Sequence, residues 1–362
     1  MKVLGGVDAV PVCMDSRDAA GRHDPEILID FVRRLAPSFG AVNLEDISQP
    51  NCFRVLDALR ESCDVPVWHD DAQGTGCVTL AGLLNALKVA GKELAECRIV
   101  FFGAGASNTT IARLILQAGA DPAKVAMFDS RGGLHAGRAD IAADPRFYRK
   151  WEICQATNPG RLNDVSAALR GADALISLSQ PGPDVIKPDW VRTMAPNAIV
   201  LACANPVPEI YPYAAKAAGA LVVATGRGDF PNQVNNSLGF PGILKGALLV
   251  RARKITDAMA IAAAHTLAAF AERQGLAPDR IMPMMTDEEV FSETAAAVAR
   301  QAAADGVARR ELAPERVQER ARHDIAEAHR ALELLMTSGL VPPPPEEMIR
   351  RCLAAAVAAV ER

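Results

Sequence analysis

At 362 residues the chain exceeds one ordinary compact unit and is sized for about two domains. Half of it is apolar, 23% is charged and 5% is aromatic, which excludes a disordered or fibrous chain. A net charge of −4 excludes nucleic-acid binding through a basic surface, and no apolar stretch reaches the ~18 residues of a membrane span, so neither nucleic acid nor membrane is an expected partner. The eight cysteines show no C-x-x-C pair and no zinc spacing, and the first residues lack a signal-peptide core; reduced thiols in a cytoplasmic protein are expected.

Along the first part of the chain, β-rich runs at residues 7–13, 41–44 and 65–68 alternate with amphipathic stretches at 26–35 and 52–59, the pattern of parallel β-α units. A helix is predicted over 80–89. The continuous apolar run 98–102 reads as a strand buried on both faces, and further strands at 125–128, 174–178, 198–204 and 221–224 have the spacing of an open doubly wound sheet. From about residue 255 the chain turns helical and Ala-rich. A helix over 314–336 places Val317, Ala321, Ile325, Ala328, Leu332 and Leu335 on one face. Val341 and the prolines 342–345 interrupt it, and a last helix from Glu346 carries Met348, Ile349, Cys352, Leu353, Ala356 and Val360 on one face.

The turn after the strand 98–102 reads Gly103-Ala104-Gly105-Ala106-Ser107-Asn108 and opens an apolar helix through Ile111, Leu114 and Ile115. In that context a Gly-rich turn seats a pyrophosphate on a helix N-terminus. The third glycine of G-x-G-x-x-G is replaced by Asn108, which implies a slightly displaced helix or a side-chain contact of its own. Asp129, 21 residues after Asn108, ends the next strand where an acid accepts hydrogen bonds from an adenosine ribose. Arg131 beside it could instead take a 2′-phosphate, so NAD and NADP both stay open. The expected fold class is α/β with a Rossmann-type doubly wound parallel sheet.

Glu45-Asp46 and Asp70-Asp71 end two predicted strands, so carboxylates converge at the C-terminal edge of a parallel sheet, where α/β proteins bind ligands. Oxygen ligands of this kind suit Mg²⁺ or Mn²⁺. Around these acids the sequence resembles the malic enzymes, especially the short bacterial type. The matching stretches include residues 7–12 and 83–88, Asn43-Leu44-Glu45-Asp46-Ile47, His69-Asp70-Asp71-Ala72-Gln73-Gly74-Thr75, Asn205-Pro206-Val207-Pro208-Glu209 and Asn232-Gln233-Val234-Asn235-Asn236.

The resemblance runs to about Arg309 and implies that Glu45, Asp46 and Asp71 hold a divalent metal, with Asp70 behind them. It places Asn205 and Asn236 toward the substrate carboxylates and Asn235 beside the nicotinamide. It implies an NAD(P)- and metal-dependent oxidoreductase acting on malate or a malate-like hydroxy or keto acid, working as a homodimer. The family's lysine base and tyrosine acid lie in a segment that precedes the match at Val7, so weak or absent decarboxylation is expected; Tyr148, Tyr211, Tyr213, Lys88, Lys245 and His69 offer no obvious replacement. A catalytically silent binding protein of the same family is the alternative. The expected division is a shortened β/α substrate part at 1–75, the Rossmann-type domain at 76–250 and C-terminal helices at 251–362, of which 310–362 extend beyond the family match.

Overall fold

Asp24 caps the first long helix by accepting the Glu26 N–H at 2.9 Å, and Pro25 fills the first helical position, so α1 spans Pro25–Leu35. In the computed structural model, which describes residues 1–360, α1 and α2 (Asn51–Ser62) cover a parallel pair of strands, β1 (Val42–Leu44) and β2 (Val67–His69). Their core is small: Ile29, Val32, Leu44, Val55, Leu56, Leu59 and Val67. Residues 7–13 form no strand, contrary to their composition. They carry Pro11, which has no N–H to give to a ladder, and Val10 and Val12 are left exposed.

After β2 the chain makes one π turn, Asp70–Gly74, and continues into α3 (Thr75–Ala90), which is buried on nearly every side. Then follow β3 (Ile99–Phe102), α4 (Ala106–Gln117), β4 (Val125–Asp129), a two-residue β5 (Gly132–Gly133), α5 (Tyr148–Ala156), β6 (Ala174–Ser177), β7 (Ala198–Ala202) and β8 (Ala220–Thr225). The order in the sheet is β5-β4-β3-β6-β7-β8, parallel except for β5.

Alternate side chains of these strands enter different cores. Ile99, Phe101, Met127, Ile176 and Leu201 join one, while Val100, Phe128, Leu175 and Val200 join the other. This is the period-2 signature of a sheet covered on both faces. Chain order reverses direction between β3 and β6, which opens a crevice at the carboxyl ends of those strands.

The helices α6 (Phe240–Leu249), α7 (Asp257–Arg273) and α8 (Glu289–Ala304) return to the larger core. The helix α9 (Pro314–Thr337) seats Val317, Ala321, Ile325 and Ala328 and is followed by α10 (Glu346–Val360). The helix α9 also covers the turn Lys2–Gly5: His329 Nε2 lies 3.0 Å from the Val3 carbonyl. Lys245 on α6 donates to Asp324 Oδ2 at 2.7 Å and to the Gly6 carbonyl at 3.2 Å.

Removing Asp324 would strand the buried Lys245 ammonium. We expect Asp324→Ala to lower stability by about 2–3 kcal/mol, below the ~3–5 of a fully buried pair because Asp324 is partly exposed. Urea unfolding of parent and variant measures it, and an unchanged midpoint would contradict the assignment.

Candidate active site

Two strand ends and two loops bring the acidic residues together. Asp70, at the start of the π turn, is almost wholly buried; its carboxylate accepts the Trp68 indole N–H at 3.0 Å and the Asn236 amide at 2.5 Å. A side chain at Gly74 would overlap that carboxylate. Asp71 Oδ2 accepts the Asp46 backbone N–H at 2.7 Å, which joins the ends of β1 and β2. Glu45 is held by the Asn43 amide at 2.8 Å.

Burial, then repulsion from Asp71, pushes the Glu45 carboxyl up to about 7. Burial, reinforced by Glu45 and Asp71 and opposed by its own donors, pushes Asp70 up to about 8. None of these four acids pairs with a Lys or Arg among the described residues; His69 Nδ1, at 3.9 Å from Asp71 Oδ2, is kept neutral by burial. The Gln73 amide nitrogen beside them is buried without a hydrogen-bond partner.

Uncompensated carboxylate oxygens with raised proton affinity are the donor chemistry a divalent cation satisfies. The arrangement is not yet a ligand set: among the described residues, no three His, Cys, Asp or Glu side chains are grouped around a common point. Asp71 is engaged by the Asp46 amide, so joint ligation requires these side chains to reorient.

The nucleotide turn adjoins this cluster. Gly103 has φ +96°, and a side chain there would overlap the Leu178 carbonyl at the end of β6. Around Gly105, by contrast, nothing lies within 4 Å of where a Cβ would stand, which leaves room for a pyrophosphate at the N-terminus of α4. Asn108 makes the side-chain contact that its place in the motif implied: its amide donates to the Phe102 and Gly103 carbonyls at 3.0 and 2.8 Å. Ser107 turns to the acidic site and donates to the Asp71 carbonyl at 2.8 Å. Ala106 opens α4 between them.

The asparagines sit on loops after β7 and β8. The Asn205 amide lies beside Gly226, whose carbonyl accepts from Asn235 at 3.1 Å, and Asn235 Oδ1 in turn accepts the Ser237 N–H at 3.0 Å. Asn236 alone reaches the acidic cluster directly.

Asp129 stands apart from the acids, at the end of β4. Arg138 spans both its carboxylate oxygens at 3.0 Å, Lys150 donates at 2.6 Å, and the Arg131 backbone N–H donates at 2.9 Å. Arg138 also holds Asp140. The residue expected at the adenosine ribose is thus embedded among cations, a network that sequence spacing does not reveal.

The tyrosines and lysines are committed elsewhere. Tyr148 donates to Asp57, Tyr211 stacks on Tyr213 at 5.3 Å, Lys88 binds Glu272 at 2.6 Å and Lys245 binds Asp324.

The family described as malic enzyme, NAD binding domain, matches residues 72–303. The chain belongs to the malic enzyme family. It is 41% identical over 325 residues to the bifunctional malic/malolactic enzyme of Bacillus subtilis, covering 89% of this chain and 75% of that one. It is 41% identical over 314 residues to the NAD-dependent malic enzyme of Geobacillus stearothermophilus, covering 86% of this chain and 62% of that one. The crystal structure of Entamoeba histolytica malic enzyme superposes with a TM-score of 0.98 at 60% identity, over 99% of this chain and 74% of that one.

Within the family motif at the end of β7, the structure gives Glu209 a part that sequence reasoning missed. The residue is fully buried and accepts the Ser177 hydroxyl at 2.7 Å, the Ser179 N–H at 2.9 Å and the Ala204 N–H at 3.0 Å. It thereby fixes the loop that carries Asn205. Its position among Val207, Pro208 and Ile210 was the available signal, an acid inside an apolar run.

Burial raises the Glu209 carboxyl above its ordinary 4.5 despite these donors. The folded protein therefore holds a proton there that the unfolded chain releases, and this contribution to stability declines as pH rises from about 4.5 toward the raised value. In Glu209→Gln the amide NH₂ must oppose a backbone N–H, costing about 1–3 kcal/mol. Thermal melts should show the parent more stable than the variant, with the gap narrowing as pH rises; a variant as stable as the parent throughout would contradict this role.

Proposed function

We propose that this malic enzyme family member oxidises malate or a malate-like 2-hydroxy acid, or reduces the keto acid, with NAD or NADP and Mg²⁺ or Mn²⁺. The observation that carries the reading is the junction at Asp71: one residue joins the acidic cluster through its side chain and the nucleotide helix through its carbonyl. Hydride acceptor and substrate alcohol would then meet at the carboxyl ends of β3 and β6.

Glu45, Asp46 and Asp71 would supply the cation's carboxylate oxygens, and Asp70 would hold Asn236 in place. Bound there, the cation supplies charge stabilisation at the substrate's C2 oxygen, as the nicotinamide supplies the hydride acceptor. Asn205 and Asn236 would orient the substrate carboxylates through amide donors, and Asn235 would brace the same loop beside the nicotinamide. The reading takes 1–75 as the substrate and metal part, 76–250 as the nucleotide domain and 251–362 as the helical part. It includes a homodimer as working unit and a cytoplasmic location, in keeping with eight unpaired cysteines.

Hydroxy and keto acids assayed with NAD and NADP, with and without Mn²⁺, should show nicotinamide turnover that depends on the metal. Recording CO₂ in the same assay separates oxidation from decarboxylation. Binding of dinucleotide without turnover of any acid would replace this reading with that of a silent family member.

Two variants test the placement. Asp71→Asn should weaken Mn²⁺ binding by more than the ~10–100-fold that loss of an outer partner costs; calorimetric titration giving the parent's affinity would refute the site. Gly105→Val puts a side chain into the space left for the pyrophosphate, so dinucleotide affinity should fall at least tenfold while Mn²⁺ binding persists, a drop of ~1.4 kcal/mol or more.

A further inference from the structure

NAD and NADP differ by one phosphate on the adenosine ribose, so the end of β4 decides between them. The Gly103 N–H donates to the Phe128 carbonyl at 2.9 Å, which sets Asp129 directly beside the Gly-rich turn. From that place a Rossmann-type sheet reaches the ribose of a nucleotide seated on α4. An acid there selects NAD when its carboxylate is free, because it accepts the 2′-hydroxyl and repels a 2′-phosphate.

The Asp129 carboxylate is not free. Its two oxygens offer about four acceptor positions, and four donors fill them. Oδ1 accepts the Arg131 backbone N–H at 2.9 Å and Arg138 Nη1 at 3.0 Å, while Oδ2 accepts Arg138 Nη2 at 3.0 Å and Lys150 Nζ at 2.6 Å. A ribose hydroxyl finds no lone pair left to donate to.

The local charge is reversed as well. Arg131, Arg138 and Lys150 face Asp129 and Asp140, which leaves a surplus of one positive charge. Arg138 is spent on the two carboxylates and the Gly133 carbonyl. Arg131 and Lys150 keep donors to give: the Arg131 guanidinium donates one hydrogen bond, to Asp140 at 3.2 Å, and the Lys150 ammonium gives one N–H to Asp129 and otherwise faces the Phe147 ring at 5.9 Å.

We propose that this chain prefers NADP to NAD, with Arg131 and Lys150 holding the 2′-phosphate while Arg138 neutralises Asp129. An acid in the position that marks an NAD site serves here as the anchor for cations. This preference rests on the dinucleotide site proposed above and adds the choice between its two cofactors.

Calorimetric titration tests it without turnover. Adenosine 2′,5′-bisphosphate and AMP carry the adenosine end with and without the extra phosphate, and neither has a nicotinamide. The parent should bind the bisphosphate at least ~10-fold more tightly than AMP, and NADP more tightly than NAD by a similar margin, since charge-assisted hydrogen bonds to phosphate are the strong ones. Arg131→Ala keeps its backbone N–H on Asp129, so it should weaken the bisphosphate ~10-fold and leave AMP unchanged. Lys150→Met removes a charge and also opens an acceptor position on Asp129, so the bisphosphate should weaken while AMP tightens. A parent that binds bisphosphate and AMP alike, a parent that prefers NAD, or variants with the parent's ratio would overturn the preference alone. Failure to bind either dinucleotide would overturn the site itself, and the preference with it.

Discussion

A carboxylate taken out of water must be held by donors, and Asp70 takes one donor from each of two parts of the chain. The Trp68 indole comes from β2 just before it, whereas the Asn236 amide comes from the loop after β8. If either were lost, a buried carboxyl group would be left with less than its full set of partners. The small β1–β2 unit and the six-stranded sheet are thus tied at the point where the acidic residues gather. The π turn that opens at Asp70 is part of the same solution, since it leads β2 into the buried helix α3 while leaving Gly74 no room for a side chain.

From that tie the rest of the site follows in sequence. Asp71 is placed by the turn, and through Ser107 it fixes the start of α4 against the acids. Asn108, in place of the third glycine, satisfies two carbonyls of the strand-to-helix turn. On the far side, Glu209 ties the turn after β6 to the loop after β7, again by burying a carboxylate among donors. Two buried acids therefore shape the two walls of one crevice.

Much of this was legible in the sequence, for identifiable reasons. Strands covered on both faces read as continuous apolar runs, so β3, β4, β6, β7 and β8 were located to within a few residues. The Gly-rich turn was recognisable because strand, turn and helix occur in the required order. What eluded sequence reasoning depends on partners distant along the chain. Residues 7–13 have strand composition but pair with no strand. Asp129 has the spacing of a ribose ligand, yet spacing cannot reveal that Arg138 and Lys150 already surround it. The periodicity of α9 was plain, but only the fold shows that its stripe is half seated and half free.

The contact of α9 with the turn Lys2–Gly5 concentrates two distant segments on one side chain. Lys245 reaches back across 239 residues to the Gly6 carbonyl and forward across 79 to Asp324. A single buried ammonium therefore holds backbone near residue 6 and the side chain of Asp324 against the same helix, α6. Losing that one charge would loosen two segments at once, although neither touches the acidic site.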